Sequence, residues 1–199
     1  CTSRFGYVVT GDDSKVLRFA EKPDRPPCTT VSTGIYVFDT DCFLQLVCDN
    51  AKARGHNLAK DILERHASAL DCYAFPMPGF WEYLEDLTEY YEAHMRLLKG
   101  NDFEMMRHWD IMTNLDYRGV GSACPAQCGR ESRVTDSLVS VGCRIDGTVE
   151  RSVLSPGVIV SRGATVRDSI LMNGCIVAEG AVIDRVVSDK DVRYRADCR

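Results

Sequence analysis

No stretch of this chain stays apolar for long enough to cross a membrane. The longest run without a charged residue, 26–38, holds two prolines and three threonines. It falls far short of the roughly 20 apolar residues that a span requires. Runs of lysine and arginine are missing too. With 24 basic and 29 acidic residues the net charge is −5, which argues against a broad nucleic-acid or membrane-binding face. P-loop, Gly-x-Gly-x-x-Gly and Ser-His-Asp elbow signatures are absent. The ten cysteines contain no Cys-x-x-Cys pair, and the closest two, Cys124 and Cys128, have no second pair or histidine cluster to complete a zinc site. Most of the cysteines lie in apolar runs and read as reduced, buried thiols acting as small hydrophobes. Cys124 and Cys128 sit in a loop rich in Gly, Ala and Pro, which leaves a bridge or redox contact open there. The chain starts at Cys1, without Met or a recognisable signal peptide, and is expected to be a piece of something longer.

What is present is globular in composition. A chain of 199 residues with 45% hydrophobic and 27% charged residues allows one or two ordinary domains. Tyr7-Val8-Val9, the turn Gly11-Asp12-Asp13-Ser14, and then residues 16–20 predict a hairpin. Pro23, Pro26 and Pro27 break regular structure, and residues 31–38 predict a buried strand of β-branched and aromatic residues. Asp39 or Thr40 is placed to cap a helix over 41–48, and Asn57 to cap one over 58–70. A short strand is expected over 72–75. A helix is expected over 86–98, with Leu87, Tyr90, Tyr91, His94, Leu97 and Leu98 on one face and Gly100 ending it.

From Val134 the texture changes. Three blocks align, led by Ser137, Ser152 and Ser169, at steps of 15 and 17 residues. Each block carries a glycine at its end (Gly142, Gly157, Gly174) and a second one after it (Gly147, Gly163, Gly180), and a fourth partial copy begins at Val186. Aliphatic residues recurring about every six positions, with small residues between them, predict a parallel β-helix whose aliphatics fill a narrow prism.

Residues 5–23 (FGYVVTGDDSKVLRFAEKP), 32–38 (STGIYVF) and 56–63 (HNLAKDIL) resemble the sugar-phosphate half of sugar nucleotidyltransferases. Residues 137–160 narrow the resemblance to ADP-glucose pyrophosphorylases, also called glucose-1-phosphate adenylyltransferases. Residues 109–126 resemble that family's linker. The resemblance implies an α/β nucleotidyltransferase remnant followed by a left-handed parallel β-helix. The divisions it implies are 1–110, a linker at 111–130, and 131–199. It also implies cytoplasmic ADP-glucose and pyrophosphate formation from ATP and glucose 1-phosphate with Mg2+, serving glycogen or starch synthesis in a homo- or hetero-oligomer. The family's Gly-rich nucleotide loop is not found here, so adenylyl transfer by this chain alone is not expected.

By resemblance, Lys22 is the catalytic cation that holds the sugar phosphate and Glu21 takes the sugar hydroxyls. Gly6, Ser32, Tyr36, Asn57 and Trp81 complete the substrate site. The bland readings stay open: a solvated strand end for Glu21 and Lys22, a strand bend for Gly6, a backbone-bonded hydroxyl for Ser32, core for Tyr36. Two departures stand out. Asn57 replaces the family's Asp and brings no charge. Tyr83 stands where the family has a metal-side Asp, and a neutral phenol is a poor Mg2+ ligand. Either Glu82 or Glu85 takes over that role, or the chain is a regulatory or scaffold subunit; acids favoured at a helix N-terminus are the simpler reading of both. The arginines at 144, 151, 162, 167, 185 and 193 read as scattered solubilising charge, with anion sites for phosphorylated effectors as the alternative that the resemblance brings. Hexapeptide acyltransferases use a β-helix histidine as base, and residues 131–199 contain none. Another sugar-phosphate nucleotidyltransferase remains a lesser alternative.

Overall fold

The turn at 11–14 folds the first two apolar runs back on each other. In the computed structural model, which describes residues 3–53, 55–100 and 124–198, strands β1 (Gly6–Thr10) and β2 (Val16–Glu21) pair antiparallel, with Gly6 opposite Glu21 and Val8 opposite Phe19. The loop closes through Gly11 N–H to the Lys15 carbonyl at 2.9 Å. Ser14 turns the corner at a φ of +66°. Two compact units result, Cys1–Trp81 and Glu82–Arg199.

The first unit's core is Val16, Phe19, Leu63 and Ala67, with Val8, Tyr36, Phe38 and Ala74 packed against it. The expected strand over 31–38 does not form. Val31 makes a single antiparallel bridge to Tyr7, and beyond it the chain runs without a ladder. Tyr36 and Phe38 turn into the core, while Ile35 and Val37 are 71% and 97% exposed. A buried strand needs cover on both faces, and among the described residues only one face has it.

Helix α1 (Thr40–Asn50) starts where expected, with the Asp39 side chain accepting from Cys42 N–H at 3.0 Å. None of its residues is fully buried: Phe43 packs on Phe38 at 4.9 Å between ring centroids, while Leu44 and Val47 stay exposed among the described residues. Asn57 also caps as expected, accepting from Lys60 N–H at 2.9 Å. The helix it opens is not regular. A π-helical turn, Leu58–Leu63, runs into the short turn Glu64–His66. The expected strand at 72–75 reduces to one bridge between Lys15 and Tyr73.

Helix α2 (Leu87–Leu97) belongs to the second unit. Asp86 accepts from Glu89 N–H, and the Glu89 carboxylate accepts from Glu85 N–H, both at 2.8 Å, a close relative of the capping box. Tyr91 fastens the helix to the solenoid by donating to the Asp168 carbonyl at 2.7 Å. Gly100 follows at a φ of +48°. Leu87, on the expected buried face, is 65% exposed.

The repeats form a parallel solenoid with three sheets. Val134, Val149, Val166 and Ile183 stack in one, and Leu138, Val153, Ile170 and Val187 in the second. Cys128, Ile145, Val160, Val177 and Tyr194 stack in the third. The expected steps of 15 and 17 are the spacing of these registers, and the partial fourth copy is a true rung. Pairing already includes Gln127–Cys128. Val149, Leu154, Val158, Val160, Val166, Leu171 and Val177 are fully buried in the prism.

One corner carries a serine ladder. The Ser152 hydroxyl donates to the Glu150 carbonyl at 2.8 Å and accepts from Ser169 N–H, on the next coil, at 3.1 Å. Ser137 and Ser169 repeat the pattern toward Ser152 and Val186. The residue before each of these positions sits in the left-handed region: Asp136, Arg151, Asp168 and Arg185, at φ of 46°, 44°, 46° and 53°. At three of these four steps the left-handed residue is followed by a serine that bonds both along and across coils, and at the last by Val186.

The corner residues also alternate in charge. Arg151 forks onto Asp168 at 2.7 and 2.6 Å, and this hydrogen-bonded guanidinium holds the Asp168 carboxyl below its ordinary range. A depressed carboxyl stabilises the fold above its unfolded value, and that contribution is lost as pH falls through the folded one. The Arg151 and Asp168 side chains are 50% and 30% exposed, so solvent screens the pair and the effect is small. Arg151→Ala is expected to lower the denaturation midpoint slightly at neutral pH. The difference should shrink as the pH falls below the ordinary carboxylate range and Asp168 protonates, and in molar salt, as read by urea titrations at each condition.

Candidate functional site

The end of the hairpin away from its turn gathers the residues that carry chemistry. Gly6 and Glu21 are its last pair. Next to them Lys22 N–H donates to the Phe5 carbonyl at 3.0 Å and Ser32 N–H to the Gly6 carbonyl at 2.8 Å. A Cβ on Gly6 would lie 2.7 Å from the Phe19 ring and 2.9 Å from a Glu21 carboxylate oxygen. Glycine is therefore required for this close approach, and the Glu21 carboxylate lies directly over the strand start.

Ser32 and Tyr36 meet at the same corner. Their hydroxyls are 2.9 Å apart, and Ser32 Oγ also accepts from Gly34 N–H at 3.2 Å, with Gly34 at a φ of +79°. Burial pushes the Tyr36 phenol up, the bond from Ser32 opposes this, and the negative charge of Glu21 adds to the rise. Glu21, Ser32 and Tyr36 thus share one electrostatic neighbourhood. Lys22 adopts a φ of +45° immediately before Pro23. Such a left-handed conformation is uncommon for lysine and is strained. Trp81 packs edge-on against Phe5 at 5.7 Å between ring centroids.

Five of the expected residues, Gly6, Glu21, Lys22, Ser32 and Tyr36, therefore come together, with Trp81 joined to them through Phe5. Asn57 stands apart in role: its side-chain carbonyl caps Lys60 N–H, and its own N–H donates to Asp61 at 2.9 Å. Two carboxylates were not foreseen. Asp61 is 7% exposed and accepts from Asn57 and from Arg65 at 3.3 Å. Glu64 accepts from Glu21 N–H at 3.2 Å. Acids on a helical stretch ordinarily read as solvated charge, and no sequence signal distinguishes these two.

Family models match both parts of the chain. Residues 2–100 match a nucleotidyl transferase model and residues 123–199 a GlmU-like C-terminal hexapeptide model. Three curated relatives are named glucose-1-phosphate adenylyltransferase. That of Geobacillus stearothermophilus is 36% identical over 83% of this chain and 43% of its own length. That of Thermosipho melanesiensis is 32% identical over 83% and 40%, and that of Desulfitobacterium hafniense 28% over 99% and 50%. The chain belongs to the ADP-glucose pyrophosphorylase family. It spans about half the length of the curated relatives it matches.

Of the two acids expected on the metal side, Glu82 has its carboxylate in an ion pair with Arg96 at 2.9 Å, and Glu85 belongs to the start of α2 through its N–H bond to Glu89. Among the described residues no three His, Cys, Asp or Glu side chains cluster to hold an ion. Mg2+ binding needs several hard oxygens in octahedral array, and the described residues do not assemble one.

Proposed function

We propose that this chain supplies the sugar-phosphate half and the hexapeptide solenoid of a glucose-1-phosphate adenylyltransferase, which makes ADP-glucose and pyrophosphate from ATP and glucose 1-phosphate. The observation that carries the reading is the meeting of Glu21, Lys22, Ser32 and Tyr36 at one end of the β1–β2 hairpin. A sugar phosphate needs one fixed cation and several hydroxyl partners, and this corner offers both. Lys22 binds the phosphate as a point charge. The Glu21 carboxylate accepts from sugar hydroxyls, and Ser32 and Tyr36 exchange hydrogen bonds with the remaining oxygens. Held this way, a phosphate oxygen attacks the α-phosphorus of ATP in line, and pyrophosphate leaves. Orientation of the acceptor is this segment's share of the catalysis. Mg2+ bound with the nucleotide would neutralise developing charge on the phosphoryl oxygens. In the same reading the solenoid carries assembly into a homo- or hetero-oligomer.

Calorimetric titration tests this. Glucose 1-phosphate should bind, with glucose and inorganic phosphate each at least tenfold weaker, because each keeps only half of the contacts. Equal binding of phosphate and the sugar phosphate would sink the reading.

Tyr83 supports a second reading, a regulatory or scaffold subunit. It stands at the family's metal-side acid, and the Arg96 pair engages its neighbour Glu82. Turnover by the full-length protein with ATP, Mg2+ and glucose 1-phosphate separates the two. Acceptor binding without turnover, even at saturating substrate, favours the regulatory subunit.

A further inference from the structure

Two of the residues proposed to meet the sugar phosphate, Glu21 and Lys22, lie on a strained corner, and the two edges of the hairpin hold that corner differently. Lys22 N–H donates toward β1, to the Phe5 carbonyl. Successive amides along a strand point to opposite edges. Glu21 N–H, one residue earlier, therefore faces the open side of β2, where an unpaired amide would be an orphan donor. The Glu64 carboxylate receives it at 3.2 Å.

Glu64 is well placed to hold a fixed position. It follows the π-helical turn Leu58–Leu63, and its N–H bonds the Ala59 carbonyl. Its neighbours Leu63 and Ala67 pack with Val16 and Phe19 of β2 in one buried cluster. An inserted π turn shifts the residues that follow it around the helix axis, and such turns recur at functional sites. Here the shift coincides with a residue that reaches the end of β2. Lys22, at a φ of +45° before Pro23, needs its surroundings to over-determine that conformation.

We propose that Glu64 is a positioning residue of the acceptor site: its carboxylate clamps the Glu21 amide and thereby aims the Glu21 and Lys22 side chains at the sugar phosphate. The proposal rests on the acceptor-site reading above. Because the bond runs from a backbone amide to a carbonyl-type oxygen, a glutamine preserves it and an alanine does not.

The test uses the whole chain, as parent, Glu64→Gln and Glu64→Ala, with two readouts. Amide hydrogen exchange at Glu21, followed by NMR, reports the bond without any ligand. Calorimetry with glucose 1-phosphate reports its consequence. Glu64→Ala should speed exchange at Glu21 and weaken binding by roughly tenfold, the scale of a lost hydrogen bond to a charged acceptor. Glu64→Gln should keep protection and bind within about threefold of the parent. A purely structural role would lower the melting temperature of Glu64→Ala but leave the affinity of the folded protein unchanged, which overturns the proposal. Equal loss in both variants overturns it as well, because the negative charge rather than the clamp would then matter. If the parent itself fails to bind, the acceptor-site reading falls and takes the positioning role with it, whatever the exchange data show.

Discussion

Ser169→Ala is expected to destabilise the solenoid by roughly 2–3 kcal/mol, the scale of leaving buried polar groups unpaired. Ser169 is fully buried. Its hydroxyl donates to the Arg167 carbonyl and accepts from Val186 N–H at 3.1 Å. Alanine removes both bonds at once and puts nothing in their place. Water cannot enter to replace them, since the corner is closed on both sides by neighbouring coils. Ser152→Ala should behave alike, because Ser152 is equally buried and bridges Glu150 to Ser169. Ser137 makes the same two bonds, to the Thr135 carbonyl and from Ser152 N–H, but is only half-buried, so Ser137→Ala should lose less, about 1 kcal/mol, as water substitutes in part. Urea midpoints at a common slope give the comparison. Equal losses at Ser137 and Ser169 would show that burial does not set the effect. The double variant Ser152→Ala/Ser169→Ala is expected to be non-additive, because the two share the bond from Ser169 N–H to Ser152 Oγ.

That ladder also shows how far the sequence could be read. The repeat was legible because every coil meets the same geometric demand. Aliphatics at 149, 166 and 183 must enter the prism, and serines at 137, 152 and 169 recur at the same corner. The function of those serines was not legible. A hydroxyl that bonds across coils looks in one dimension like any small polar residue between aliphatics. The basic residues read similarly. Arg151, Arg167 and Arg185 read as scattered charge balanced by neighbouring acids, and each lies beside one: Arg151 on Asp168, and Arg167 and Arg185 on Asp184. Their partners are 17 residues away or adjacent, and only the coil spacing makes the first kind visible.

The first unit was harder to read for a different reason. Alternation at 35–38 and the stripe on α1 say which side of an element is apolar, not whether another layer exists to cover it. Ile35, Val37, Leu44 and Phe75 all stay more than half exposed in a chain that spans about half of its relatives' length. The meeting of Gly6, Glu21 and Lys22 was legible because one hairpin register joins them, and Ser32 comes from a third short segment tied on through its N–H bond to the Gly6 carbonyl. Glu64 escaped because its role depends on a π-helical turn, which no simple periodicity signals.

Lys22→Ala should weaken glucose 1-phosphate binding by roughly 1.5–3 kcal/mol, the range for a hydrogen bond to a charged group, or about 10- to 150-fold. The alanine leaves the backbone problem untouched: a side chain at a φ of +45° ahead of Pro23 is still strained. Lys22→Gly removes the cation and the strain together. Comparing the two separates what the charge does from what the fixed corner does. If the charge dominates, both lose binding equally, and Lys22→Gly is the more stable protein by roughly 1 kcal/mol. If the held conformation also aims Glu21, Lys22→Gly binds distinctly worse than Lys22→Ala despite its greater stability. Lys22→Arg keeps the charge but replaces a compact ammonium by a planar fork, so it should recover only part of the affinity. Ser32→Ala removes the bond to Tyr36 and the turn bond to Gly34 and should lose about 1 kcal/mol of binding. Unchanged affinity in Lys22→Ala would remove the cation from the acceptor site altogether, and with it the phosphate as the feature this corner recognises.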